Sequence, residues 1–294
     1  MRKKIYTLLI SLLLCLVSCN SVSKDFNTDD KDNLVIQLVT YLLDEGHYLE
    51  KEINDEFSEK VFNTFIKNLD PFKRYFYLSD INDFSKYKFT IDDAFMNPNL
   101  EFFNLAYKIY NKRIAESETI FKKILSKPFD FSKDEVCECD FEKLDFVKTK
   151  DELYERWRKL LKIYVIENYH NEIEDDLRKQ KLDSTYKIRN TSIIEKEARD
   201  ALSDMMNQNF SFISNEMQRS DWFSVYINSF VSQYDPNTSY LDPESKDKFD
   251  VDMSGNYAGI GARLQKKIDK VEIVEVISGG PAWRDNISEK GDAI

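Results

Sequence analysis

The chain has 294 residues, 42% of them hydrophobic and 14% aromatic, and its 53 acidic side chains outnumber 42 basic ones for a net charge of −11. That length is enough to bury a core of its own. The acidic balance makes nucleic acid a poor partner, because binding phosphate takes an excess of Lys and Arg.

The first element is a leader. Arg2, Lys3 and Lys4 are followed by an almost unbroken apolar run from Ile5 to Val17. This run is shorter than the roughly 20 residues of a membrane-spanning helix and fits a secretory signal. Leu16-Val17-Ser18-Cys19 then sets a cysteine after small residues, the lipobox pattern of bacterial lipoprotein signals. The expectation is a signal peptide over residues 1–18, cleavage before Cys19 and diacylation of its thiol. The alternative is an ordinary signal peptide with an incidental cysteine. Cleavage removes three positive charges, taking the net charge from −11 to −14. So acidic a chain is repelled by an anionic bilayer, and its membrane attachment has to come from the lipid. Residues 19–33, mostly polar and charged with one aromatic, Phe26, read as a flexible tether. The expected location is the cell envelope, facing the periplasm or the outer surface.

From residue 34 to residue 245 the chain reads as helices, with no glycine between Gly46 and Gly255. Leu34, Leu38, Tyr41 and Leu42 have the i, i+4, i+7, i+8 spacing of an amphipathic helix. Asn97-Pro98 reads as an N-cap with proline at the first helical position, ahead of Phe102, Leu105, Ala106 and Ile109 on one face. Thr149 with Glu152 is a capping-box pattern before Leu153, Trp157, Leu160, Leu161 and Tyr164. Ser192 with Glu195 repeats it before a helix through Met206. Charged runs such as residues 175–181 are expected on solvated faces. Cys137 and Cys139 are too close in sequence for an unstrained bridge, and no zinc-type spacing accompanies them, so neither metal nor cofactor is expected.

Residues 65–84 and 230–249 align without gaps at an offset of 165 residues, matching Phe65 with Phe230, Asp70-Pro71 with Asp235-Pro236, Tyr75 with Tyr240, and Phe84 with Phe249. The expectation is a helix stop used twice, since a residue before proline avoids the helical region. A duplicated module forming two walls of a substrate bowl is the alternative.

At Gln233–Gly261 the chain changes character. Two Asp-Pro turns precede Gly255, Gly259 and Gly261, three of the seven glycines, and Ala262–Lys266 then alternates like a strand. This is how a loop of bare amides for a peptide carboxylate, followed by a strand that pairs with the peptide, would be written.

The segments SQYDPNTSYLDPESKDKFDVDMSG, YAGIGARLQ and VEIVEVISGGPA, with GDAI at the end, resemble the tail-specific (carboxy-terminal processing) proteases, serine endopeptidases of the Ser–Lys type that carry a PDZ domain. NLDPFKRYFYLSDINDF resembles the helical N-terminal domain of the family's long members. The resemblance implies a mainly α fold: a helical domain over residues 34–245, then the first half of a PDZ-like β domain over residues 246–294. It implies that the family's catalytic serine and lysine fall beyond Ile294, so no residue here is expected to be catalytic. It also implies that Gly259, Ile260, Gly261 and Ala262 form the carboxylate loop for apolar protein C-termini. His47 and His170 sit in helical, charge-rich settings without a nucleophile elbow, and Ser254 is the serine nearest the glycine loop. A non-catalytic lipoprotein adaptor that binds protein tails is the alternative. A helical-repeat lipoprotein for nutrient capture fits less well, because no 34-residue period is present.

Overall fold

The computed structural model describes residues 28–254, 259–266, 270–285 and 289–293. The signal peptide, Cys19, the first part of the tether, Gly255 and Ile294 lie outside the described residues. The chain divides into two units, residues 1–240 and 241–294.

The first unit is helical. Helix α1 (Thr28–Gly46) starts six residues inside the expected tether, with Asp29 and Asp30 in its first turn favourably placed at the positive end of the helix dipole. It also turns the other way round from its sequence pattern. Ile36, Thr40 and Leu43 are buried, whereas Leu34, Leu38, Tyr41 and Leu42 are 47, 52, 63 and 64% exposed. Polar anchors hold this orientation. Arg219 binds Asp32 and, at 3.0 Å, Asp29, and the Thr40 hydroxyl reaches the Phe95 carbonyl at 3.4 Å.

Helix α2 (Asp55–Leu69) is capped by Asn54, whose side chain accepts from the Phe57 amide at 3.1 Å. It buries Phe57, Val61, Phe62, Phe65, Ile66 and Leu69 on one face. Two short helices, α3 (Leu78–Phe84) and α4 (Ile91–Met96), lead to α5 (Glu101–Leu125). The expected cap at Asn97 is displaced. Asn97 closes α4 instead, and Asn99 accepts from the Glu101 amide at 2.7 Å. Helix α6 (Lys150–Leu182) begins as its sequence predicts, with Thr149 Oγ1 accepting from the Glu152 amide at 3.2 Å. Helix α7 (Thr191–Ser211) is capped by Asn190 rather than Ser192. Glu195, expected in a capping box, pairs with Arg199 at 3.1 Å and accepts from the Phe129 amide. A π-helical turn over Phe212–Glu216 leads to α8 (Arg219–Val231).

Helices α4 and α8 pack on α2, while α6 and α7 pair as a hairpin beside α5. The core between α2, α4, α5 and α8 is aromatic. Phe95 and Phe230 stack face to face at 3.7 Å, and Tyr226 packs edge-on to Phe65 at 5.0 Å.

The internal repeat has a spatial counterpart. Thr64 and Asn68 on α2 correspond, at the 165-residue offset, to Ser229 on α8 and Gln233 just after it. Asn68 donates to Ser229 at 3.2 Å, and Gln233 donates to Thr64 at 3.1 Å. These two hydrogen bonds join positions that are equivalent at the 165-residue offset. Asp70 is the C-cap of α2, as expected, but α8 stops at Val231 with Ser232 as its C-cap, so Asp235-Pro236 follows a turn rather than ending the helix. The carboxylates differ too. Asp70 is buried and accepts from the amides of Arg74, Tyr75 and Phe76 at 2.8–2.9 Å. Asp235 is more open and caps its own turn through the Asn237 amide at 2.9 Å.

Residues 175–181 contain an exception to the solvated reading. Asp176 is fully buried, where it accepts from the Arg189 guanidinium at 2.8–3.0 Å, the Arg189 amide at 2.9 Å and the Tyr186 hydroxyl at 2.8 Å. These bonds tie the loop between α6 and α7 to α6. The Arg189 guanidinium, helped by the other donors, holds this carboxyl well below its usual range. A depressed carboxyl pKa stabilises the fold above the unfolded value and loses that contribution as pH falls through the folded one. Arg189→Met is therefore expected to melt several degrees below the parent at pH 7. In thermal melts the gap should narrow as pH drops below about 4, where an unpaired Asp176 takes up a proton.

The second unit begins with α9 (Pro243–Ser254), capped by Asp242, whose carboxylate accepts from the Ser245 amide at 2.9 Å. Strands β1 (Ala262–Lys266) and β2 (Val271–Val276) pair antiparallel, Ala262 opposite Val276 and Lys266 opposite Val271, with an irregularity between Arg263 and Leu264. Helix α10 (Pro281–Asp285) follows, with proline at its first position. Ala293 then bridges to Glu272 on the far side of β2.

Candidate functional site

The GIGA loop takes its shape from the GGPA turn. The Ile260 carbonyl accepts from the Ala282 amide at 2.9 Å, and the Gly261 carbonyl accepts from the Ile277 amide at 2.8 Å. Both peptide planes are trans. In a trans plane the N–H points opposite to the C=O, so the amides of Gly261 and Ala262 are directed away from the 277–282 turn. Among the described residues none accepts from the amides of Gly259, Ile260 or Gly261. The Ile260 side chain is 52% exposed.

The two glycines of the loop serve different ends. Gly261 has φ +77°, and a Cβ there would meet Pro281 Cδ at 2.8 Å and the Gly280 Cα at 3.0 Å. A Cβ on Gly280 would meet the Gly261 Cα at 3.0 Å in return. This back-to-back packing of GIGA on GGPA, rather than ligand approach alone, requires glycine at residue 261. The signal was in the sequence, as the ordered pair of motifs, but its packing meaning was not. Among the described residues a Cβ on Gly259 would have nothing within 4 Å, which leaves space there for an incoming group.

Strand β1 pairs with β2 on one side only. Among the described residues its other edge has no partner, because the third segment, Gly291–Ala293, lies against β2. There the Gly291 amide donates to the Ile273 carbonyl at 2.8 Å and the Ile273 amide to the Asp292 carbonyl at 2.9 Å. An open edge continuing from a loop of outward amides can receive an extended peptide: the edge by strand pairing, the amides by binding its carboxylate.

Neither histidine builds a hydrolytic site. His47 Nε2 lies 3.1 Å from Thr238 Oγ1, which is 3.4 Å from Asp235 Oδ2. In a triad the carboxylate orients the imidazole. Here Asp235 contacts the threonine and the Tyr48 hydroxyl instead, while His47 Nδ1 faces the Leu49 backbone at 3.1 Å. With His47 stacked on Tyr48 at 4.8 Å, the group clasps the loop after α1 to the turn after α8. His170 is exposed on α6, 3.2 Å from Glu174. Ser254 ends α9, and its hydroxyl bonds the Val251 carbonyl at 3.3 Å. Cys137 and Cys139 are unbridged thiols, the Cys139 sulfur 3.8 Å from the Cys137 carbonyl.

Comparison with known proteins gives matches over both units. A family model described as the tail-specific protease N-terminal domain matches residues 38–244. A tail-specific protease of Haemophilus influenzae is 27% identical over 266 residues, covering 90% of this chain and 35% of that protein. Probable CtpA-like serine proteases of Staphylococcus aureus are 29% identical over 117 residues, 40% of this chain and 20% of theirs. The chain thus spans about a third or less of the length of the curated relatives it matches.

Proposed function

Since the chain belongs to the tail-specific protease family through their N-terminal domain, we propose that it is the substrate-selecting front of a membrane-anchored serine endopeptidase that chooses proteins by their apolar C-termini. The names of the relatives support proteolysis as the activity of the whole protein. On this reading residues 241–294 are the leading part of a PDZ-like domain. The amides around Gly259, Ile260, Gly261 and Ala262 receive the terminal carboxylate, the Ile260 side chain meets the last apolar side chain, and the peptide extends along β1. Acylated Cys19 holds the protein in the cell envelope, facing the periplasm or the outer surface.

The observation that carries this reading is the outward direction of the Gly261 and Ala262 amides beside a strand edge that has no partner among the described residues. Charge-assisted bonds from such amides are lost when the carboxylate is amidated. Peptides ending in apolar residues are therefore expected to bind the full chain about tenfold or more tightly than their amidated forms, by fluorescence anisotropy. Equal affinities would end the carboxylate-loop reading. Gly259→Ala is expected to weaken the free peptide while leaving amide exchange in β1 and β2 unchanged. Gly261→Ala is expected to speed that exchange, because its Cβ collides with Pro281.

A further inference from the structure

The outward stripe of α1 is the largest departure from what the chain's own pattern predicts, and it calls for a cover. Leu34, Leu38, Tyr41 and Leu42 fall within about 100° of arc on a helix of 3.6 residues per turn. The buried Ile36, Thr40 and Leu43 lie on the opposite side. A helix that is apolar on two opposite faces normally has something packed on both. Its roll is fixed by the Arg219 ion pairs to Asp29 and Asp32 and by Thr40, so the stripe cannot turn inward.

What lies next to it in the chain points to the cover. Only residues 20–27 separate Cys19 from Thr28, the start of α1. Eight residues reach roughly 30 Å at full extension, so an acylated Cys19 keeps α1 close to the membrane surface. The acids nearest Arg219 are neutralised on the inner side, away from the stripe. On the same arc, exposed Lys31 lies at the N-terminal end of the stripe and exposed Glu45 at its C-terminal end, a balanced pair that suits a zwitterionic surface better than an anionic one. A tyrosine among leucines suits the headgroup boundary, where an apolar ring with a polar tip is at home.

We propose that α1 lies on a zwitterionic bilayer through Leu34, Leu38, Tyr41 and Leu42, as a second membrane contact beside the acylated Cys19. This rests on the lipid-anchor reading given above.

The test uses the full chain, matured in a bacterial envelope and reconstituted in phosphatidylcholine vesicles. Intact-mass measurement of acyl chains on Cys19 tests the anchor by itself. In a Cys137→Ser, Cys139→Ser background, an environment-sensitive fluorophore is attached after Leu38→Cys or, as control, after Lys181→Cys, an exposed position near the end of α6. Brominated phosphatidylcholine is expected to quench the probe at residue 38 several-fold more than the one at residue 181. Equal quenching in an acylated protein overturns the proposal and leaves the anchor intact. Absence of acyl chains overturns both. A probe at residue 38 that is already shielded before vesicles are added shows that protein, a second copy included, covers the stripe, and this also overturns the proposal. Leu38→Glu with Leu42→Glu, both at exposed positions, is expected to speed transfer of the acylated protein between vesicles several-fold, and an unchanged rate counts against it equally.

Discussion

Phe230→Ala is expected to be the most damaging single substitution in the helical unit. Phe230 is fully buried, lies flat on Phe95 at 3.7 Å and meets Phe57 edge-on at 5.0 Å. Truncation removes the ring's transfer free energy and leaves a cavity walled by two other rings, which are held by their own helices and cannot close it. Such changes cost about 3–5 kcal/mol. In a unit of this size that corresponds to a fall in Tm of roughly 10 °C. Phe249, the counterpart of Phe84 in the repeat, provides the control: Phe84 is fully buried and Phe249 is 51% exposed. Phe249→Ala is expected to change stability by less than about 0.5 kcal/mol. Equilibrium unfolding of both variants checks the pair. A cost below about 1 kcal/mol for Phe230→Ala would mean that the stack with Phe95 does not organise the core.

Asp70→Ala is expected to come next, at about 2–4 kcal/mol, because it strips the acceptor from three successive amides. Those of Tyr75 and Phe76 belong to buried residues and have no water to turn to. The loss is tempered by relief of a buried charge. Burial pushes the Asp70 carboxyl above its ordinary value, even though the three amides and Arg74 pull the other way. Asp70→Asn separates the two effects, since it keeps one acceptor oxygen and carries no charge. A carboxyl whose folded pKa is raised takes its proton in the folded chain before the unfolded one, so its cost grows as pH rises from the unfolded value toward the folded one. The parent is therefore expected to gain on Asp70→Asn as pH falls from neutral toward about 4. Arg189→Met behaves in the opposite sense, because Asp176 is held low rather than high. Denaturant titrations across this range read both signs. If Asp70→Asn showed the same pH slope as the parent, its carboxyl would not titrate differently on folding.

Much of this protein was legible in its residues taken in order. Helices over the stretch without glycine, the stop at Asp70-Pro71, the cap at Thr149 and a strand after GIGA all follow from local chemistry, where a missing N–H, a fixed φ or a side-chain acceptor acts on its immediate neighbours. The ordered motifs GIGA and GGPA pointed to the candidate loop, and the family match over residues 38–244 agrees with the resemblance carried by the upstream segment. What local chemistry could not supply is which side of an element faces inward. The apolar spacing in α1 selected Leu34, Leu38, Tyr41 and Leu42, yet Arg219, far away in sequence, binds Asp29 and Asp32 and rolls that face out. Asp176 stood in a charged run that read as solvated, and it is buried because Arg189 and Tyr186 fold back over it. Gly261 looked like room for a ligand and proved also to be room for Pro281. Helix or strand is decided within a few residues, where the sequence speaks directly; the face an element buries is decided by partners that folding alone brings near, because ion pairing and close packing depend on distance in space rather than along the chain.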